Sequence, residues 1–506
     1  MSEQISEAAD IEQDNEAGSK AKPVSTLDEE DLLRRLKMWE RQARQHSSTW
    51  RKDARMWYDL VSGEQWEERD KVALLDTMRQ PIVFNRIAPT IDAVAGAEIL
   101  NRQDVSYFPR KVGRVQPAEI FGAADDWARQ QCDAEDEESD TFTDAIICGM
   151  GWTETRMDYA DNPEGMISIG RVDPMEMWWD PNAKKRNITD RRYHYRRKGF
   201  DRDEFKMMFP GKYEQVLSAN NSPDGNDDMG EDFRPPFDKY RDGTGNDNEG
   251  SGGKLVFVEH WQWWEMEDAF TVQVPPNEAN PMGGVKSMSA DEYKPLVVQS
   301  LMQGQQPPQA MKSQRKAYYE CFKTGNVIVR EPRRLDCQCF TFHCVTGKRD
   351  RNKNTWYGIV KALNDPQKWA NKWLSQILHI INTNAKGGLI YEEGVFKNPT
   401  KAMQEWARPD SLTEVARGGL ERLREKPPGQ FPNGHEKLLE FAITSMPQIS
   451  GVNMELLGLV ERDQPGVLEQ QRKKSGYAIL AIYFDSLRRY RKLQGRTMLH
   501  YIQNYI

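Results

Sequence analysis

Cysteine is nearly absent from this sequence, with 6 in 506 residues, and their irregular spacing excludes a disulfide framework in favour of reduced thiols. Histidine is almost as scarce at 7. The histidines stand singly, with no HExxH and no visible Ser or Cys pairing, so no hydrolytic centre is announced. A phosphate-cradling GxxxxGK followed by Ser or Thr is missing too. Gly253-Lys254 precedes Leu255 and lacks the leading glycine, which excludes a P-loop motor. The longest evident apolar run, residues 477–484 (YAILAIYF), is far too short to span a bilayer, and residues 1–20 hold neither the basic start nor the apolar stretch of a signal peptide. A soluble protein of cytosolic origin with no membrane partner is expected. Excess positive charge is also lacking: 70 Lys and Arg stand against 78 Asp and Glu, a net charge of -8. That balance excludes a protein gripping nucleic acid through a global basic field.

What is present is length, aromatic mass and uneven charge. A chain of 506 residues implies two or three substructures. Its 15 tryptophans require extensive buried surface, within cores or between subunits, since each removes a large apolar area from water. The charge is polarised: residues 1–31 carry ten acids against Lys20 and Lys22, whereas residues 461–506 carry nine Lys or Arg against four acids.

Periodicity then orders the chain. Residues 1–25 have no hydrophobic period and read as an acidic tail. Thr26 with Glu29 has capping-box spacing, and Leu32, Leu33, Leu36 and Trp39 recur at helical intervals. Ser47 or Ser48 is expected to cap a second helix through Trp50, Met56, Trp57 and Leu60, up to Gly63. Pro89 suits the first position of a third helix, and a fourth is expected from Pro117 through Trp127 into the acidic run 133–140. Residues 152–158 and 166–172 alternate like strands around a turn, which predicts a hairpin, and residues 318–329 predict another turning at Thr324-Gly325-Asn326. Residues 218–253 and 275–314 are expected to be soft surface inserts. Asp365-Pro366 opens the best helix of the chain, with Trp369, Trp373, Ile377, Ile380 and Ile381 on one side. Helix candidates follow at 401–408 and 435–446, the latter stopped or kinked by Pro447. A long basic helix closes the sequence without a stop signal, so more protein is expected beyond Ile506. The fold class is α+β.

Two clusters invite a chemical reading. Cys337, Cys339, His343 and Cys344 do not have zinc-finger spacing, although strand alternation would place Cys337, Cys339, Thr341 and His343 on one face. The acidic run 133–140 points its carboxylates in many directions and reads as a solvated helix face, not a two-metal nuclease site. No catalytic residue, metal or cofactor is assigned. The cations Arg472, Lys473, Lys474, Arg488, Arg489, Arg491, Lys492 and Arg496 are candidates for phosphate contact or for ion pairs with acids.

Several stretches in a fixed order resemble the large portal proteins of short-tailed phages. They are Gly63-Glu64-Gln65-Trp66, Asn85-Arg86-Ile87, Asn101-Arg102, Gly149-Met150-Gly151-Trp152, Trp179-Asp180-Pro181-Asn182, Tyr357-Gly358-Ile359-Val360, Asp365-Pro366-Gln367 with Asn371, Ser450-Gly451-Val452-Asn453 and Leu456-Leu457-Gly458. The resemblance implies a portal-type fold: a mixed α/β wing (26–362), stem helices (363–384 and 434–449), a small α/β clip (385–433), a tunnel loop (450–474) and a helical crown start (475–506). It also implies a dodecameric ring at one capsid vertex of the virion, assembled in the host cytoplasm, that passes double-stranded DNA during packaging and ejection. The implied partners are the terminase large subunit, scaffold and coat proteins and a head-to-tail adaptor. Glu461, Arg462, Asp463 and Gln464, before the turn-favouring Pro465-Gly466, then become channel residues together with Arg472, Lys473 and Lys474. Tyr391, Glu392, Glu393, Trp406 and Arg408 become the clip's docking surface. Another ring-forming head-to-tail connector and a metal-dependent nucleic-acid enzyme are the rival readings.

Overall fold

A single apolar stripe shapes the first helix, α1 (Glu29–Ser62), along which Leu32, Leu36, Trp39, Ala43, Trp50, Ala54, Trp57 and Leu60 are all buried. The computed structural model describes residues 23–505 except 78, 103, 110–114, 161, 201, 221–255, 275–283, 303–309, 386–388, 397, 399, 403–413, 418–419, 426–432 and 453–465. The 34 residues of α1 give a rod about 50 Å long. No break occurs at Ser47 or Ser48, contrary to expectation. Their hydroxyls donate back to the carbonyls of Arg44 and Gln45, so the serines satisfy themselves within the helix and do not cap a new one. Nor does Thr26 form a capping box: Asp28 is the N-cap residue, without a side-chain cap bond, and Thr26 Oγ1 donates to Pro23 O.

After α1 come α2 (Glu68–Asp76), α3 (Ile87–Leu100), α4 (Val115–Gln131) and α5 (Ala134–Ile147). Pro89 sits inside the first turn of α3, two residues after its start. The single helix expected through Trp127 and the acidic run is two, broken at Asp133, whose φ of 47° is left-handed. Strands β1 (Met150–Asp158) and β2 (Met166–Val172) make the expected hairpin, with Trp152 opposite Val172. β3 (Met177–Trp179) and β4 (Tyr193–Phe200) follow, then α6 (Arg202–Met208), α7 (Tyr213–Asn220), β5 (Val256–Val274), β6 (Gly284–Ser289), α8 (Ala290–Met302), β7 (Ala310–Thr324) and β8 (Val327–Arg334). The 275–314 stretch is therefore not a plain insert. It supplies β6 on the edge of β5, helix α8 and the start of β7, and Phe270 stacks on Tyr293 to hold them. Most of 218–253 lies outside the described residues, and Ser218 belongs to α7. The second predicted hairpin is present, with Thr324 opposite Val327.

β9 (Phe342–Thr346) joins β1 to form the sheet β2-β1-β9, while β3-β4-β5-β7-β8 with β6 forms a six-stranded sheet. Both are antiparallel throughout. The small hairpin β10 (Lys348–Asp350) and β11 (Thr355–Tyr357) leads into α9 (Val360–Ala385). Then come β12 (Leu389–Tyr391), β13 (Leu423–Glu425), α10 (Asn433–Ser450) and α11 (Gly466–Tyr505). α1 spans two cores: Leu32, Leu36, Trp39 and Ala43 pack with Trp178, Tyr195, Trp261 and Trp263 of the large sheet. Trp50, Ala54, Trp57 and Leu60 join the main core with Phe142, Trp152, Trp356, Tyr483 and Tyr490. That double duty is why one uninterrupted helix forms.

Three further boundaries differ from those the sequence predicts. α9 begins at Val360, and Pro366 lies within it; the buried side chains of Val360 and Leu363 hold the turn that precedes the proline. α10 likewise runs through Pro447 to Ser450, where Gly451, with φ 75°, ends it. Residues 466–474, expected within a loop, are the first turns of the 40-residue α11.

Candidate functional site

Three of the portal-like motifs converge in space on the root of the α9–α10 pair. Gln367 and Asn371, four residues apart on α9, are buried and face the chain before α3. Gln367 Nε2 donates to Phe84 O at 2.7 Å and its Oε1 accepts from Arg86 N at 3.3 Å. Asn371 Oδ1 accepts from Phe84 N at 3.1 Å, and its Nδ2 donates to Gln65 Oε1 at 2.6 Å. Gln65 in turn donates to Leu60 O, and Asn85 Nδ2 to Val61 O. Three motifs thus form one amide network that fixes α9 against the end of α1 and the start of α3. A buried amide is tolerated only when it is paired, so the network sets register as well as contact.

A second convergence lies beside it. Gly149 has φ 91°, and a Cβ there would lie 2.3 Å from the Tyr357 backbone; at Gly358 a Cβ would lie 1.9 Å from Ile146 O. Only glycine lets these backbones approach. Ile359 N then donates to Ile146 O at 2.8 Å, and Trp50 Nε1 donates to both Cys148 O and Trp356 O. Asn354 Nδ2 clasps Pro181 O and Ala183 O, which ties in the Trp179-Asp180-Pro181-Asn182 motif. These motif residues are junctions of the scaffold, and they position the helix pair.

The acidic run is solvated at Asp133, Glu135, Asp136 and Asp140, as expected, but Glu138 turns inward, and on the basic helix Arg488, Arg489 and Arg491 are paired with acids. Glu138 is fully buried and pairs with Arg129 at 2.8 Å and with Arg491 at 2.9 Å. Arg491 reaches Glu98 at 3.0 Å, and Ser139 Oγ donates to the other Glu98 oxygen. Arg102 pairs with Glu135 and Asp136, and Arg171 forks onto Asp144, which also accepts from Tyr58. Of the run's carboxylates it is Glu138 that is drawn inward, by Arg129 and by Arg491, the latter 353 residues away. Arg488 and Arg489 meet Asp485 on the surface of α11.

The Cys-His cluster is also rearranged. Residues 337–341 do not continue the strand, which starts at Phe342, so the four-residue face expected from alternation does not form. Cys337 Sγ donates to Cys339 O, and Thr497 Oγ1 lies 3.1 Å from Cys339 Sγ and 3.0 Å from His343 Nε2. Burial pushes His343 down to about 3. Among the described residues no group of three or more His, Cys, Asp or Glu is placed to hold a metal, and no helix is long and apolar enough to cross a membrane.

Of the residues singled out for channel and docking, Trp406, Arg408, Glu461, Arg462, Asp463 and Gln464 lie outside the described residues. Arg472, Lys473 and Lys474 fall on the backbone of α11. Tyr391 ends β12 opposite Leu423, and Glu392 and Glu393 are exposed next to it, with Glu392 3.7 Å from Arg422. β12 and β13 close the far end of the helix pair. The pair itself shows a feature that the motifs do not announce: Trp369, Ile381, Leu438, Phe441 and Ile449 are exposed, Phe441 to 69%. The signal is present in the helical spacing, but periodicity identifies an apolar arc without saying how much of it a neighbour in the same chain covers. No curated protein matches the chain. The family model described as phage P22-like portal protein matches residues 37–506, which include the amide network, the glycine contacts and the helix pair, and the chain therefore belongs to the phage P22-like portal proteins.

Proposed function

We propose that this portal-family chain assembles into a dodecameric ring at one vertex of the phage capsid and forms the channel for double-stranded DNA in packaging and ejection. In this reading α9 and α10 are the stem, and the β12–β13 module is part of a clip that docks the terminase large subunit and later a head-to-tail adaptor. The body meets scaffold and coat proteins. The observation that carries the reading is the apolar surface on the helix pair. Leu438, Phe441 and Ile449 flank the buried Ala442 and Met446 on α10, so the apolar arc is wider than α9 covers. Exposed apolar area of this kind marks an interaction surface, and a heterologous contact repeated by rotation closes a ring.

The segment 450–474 is the proposed lining of the bore. Glu461 and Asp463 repel phosphate while Arg462 and Arg472 to Lys474 attract it, which gives weak alternating contacts where a basic collar would hold DNA fast. The test is genetic and structural together. Phage carrying Glu461→Lys with Asp463→Lys are expected to build normal rings and package slowly, with the defect eased by salt. Trp406→Ala is expected to weaken ring assembly or adaptor docking. Normal packaging by the first variant removes this segment from the DNA path. Normal assembly and docking by the second removes Trp406 from the interface.

A further inference from the structure

Three distant segments are tied together by a buried polar knot of Asn187, Thr346 and Ser486, each at most 1% exposed. Asn187 N donates to Thr346 Oγ1 at 2.9 Å and its Nδ2 to Ser486 O at 2.8 Å; Ser486 Oγ donates to Asn187 Oδ1 at 2.5 Å. A second tie runs from Arg349 Nη1 to Lys184 O at 2.9 Å. The knot holds the 184–190 turn, the β10–β11 hairpin and the middle of α11 as one surface.

That surface is positive on a chain that is negative overall. Lys184, Lys185, Arg186, Arg351, Lys353, Lys361, Arg488 and Arg489 are exposed on it. Its acids are already engaged. Asp190 accepts from the backbone N–H groups of Lys184 and Lys185, and Asp350 from those of Asn352 and Lys353. Asp350 also lies 3.7 Å from Lys361, and Asp485 is shared by Arg186, Arg488 and Arg489. The side chains of Lys184, Lys185, Arg351 and Lys353 have no ion pair among the described residues.

We propose that this surface, built of residues other than the 450–474 segment, binds the phosphate backbone of duplex DNA without reading its sequence. Phosphate contacts need only cations and donors held in place. An acidic polypeptide would be expected to find an apolar anchor as well, and none of the exposed large hydrophobic side chains falls in residues 184–190, 346–361 or 485–489. The knot supplies the fixed backbone, and the unpaired cations supply the charge.

The test is fluorescence anisotropy of a labelled random-sequence duplex with the full chain, across a salt series. Combined Lys184→Gln, Lys185→Gln, Arg351→Gln and Lys353→Gln is expected to weaken binding at least about tenfold at low salt. It should also flatten the slope of log affinity against log salt by about 3, near 0.9 for each phosphate that is no longer neutralised. The matched set Lys37→Gln, Lys206→Gln, Lys294→Gln and Arg330→Gln, exposed cations elsewhere, is expected to change the slope by less than about 1. Equal losses from both sets, or no loss from the first, overturn the site. So does displacement of the duplex by polyglutamate at equal charge, which would make the surface a docking site for acidic protein. Electron microscopy of the same samples reports ring formation separately, so a failure to assemble is not mistaken for a failure to bind.

Discussion

The body of this protein hides its charges, whereas its helix pair shows its apolar side chains. In the body, Glu98, Glu138, Arg129 and Arg491 are almost wholly removed from solvent and answer one another. Lys323 is held in the same way between Glu40 and Glu259 at 2.7 and 2.9 Å. On the helix pair, Trp369, Leu438 and Phe441 keep 53%, 44% and 69% of their surface exposed. These buried charges of the body are answered within one chain. A helix pair that leaves its apolar arc exposed invites another surface, and the proposed ring supplies it as a second copy.

The sharpest way to break the comparison is to remove a charge from the body. Arg491→Met strands Glu98 and Glu138 without their shared partner and is expected to cost about 3–5 kcal/mol of stability, read from urea unfolding. Adding Glu98→Gln and Glu138→Gln should recover much of the loss; a single variant as stable as the parent would mean the network is not closed. Next in size is Asn371→Leu at the root of the helix pair. It leaves Phe84 N and Gln65 Oε1 unpaired and is expected to cost about 1–3 kcal/mol. Unfolding monitored by hydrogen exchange should localise that cost to α9 and the 80–87 segment.

A smaller effect, of opposite sign, is expected at Asp125. Burial pushes its carboxyl from 3.8 up to about 6, against the opposing pull of Arg129 and Tyr107. Between pH 4 and 6 the folded state binds the proton that the unfolded chain has released, so stability falls as pH rises through this window and remains lower above it. Asp125→Asn is therefore expected to gain about 1–2 kcal/mol at pH 7.5 and almost nothing near pH 4. A gain independent of pH would assign the effect to packing instead. Smallest for the folded body is Phe441→Asp, within about 0.5 kcal/mol as for surface substitutions generally. The same variant is expected to abolish assembly, and a variant that unfolds would place Phe441 in a core.

Much of this fold is legible in the sequence, and the failures share one cause. Both hairpins follow from alternation and turn residues, and the helix pair follows from its apolar spacing. Ser47, Ser48, Pro366 and Pro447 signal helix boundaries that do not occur, because each lies where flanking side chains are buried on both sides and tertiary packing outweighs a local preference. The acidic run 133–140 is opaque for a related reason: its partners Arg102, Arg129 and Arg491 are set by topology, which no local window contains. The portal-like motifs are visible as strings, but their meaning as amide and glycine junctions appears only when α1, α3 and α9 meet. The proposed channel and docking residues remain expectations of family likeness.

Electron microscopy of the purified full-length protein tests the central claim most directly. The account predicts closed rings in which α9 and α10 of each copy pack against the next, with Trp369, Leu438 and Phe441 covered at the contact. Rings that leave these side chains facing solvent, or a protein that remains monomeric at every concentration, would contradict it.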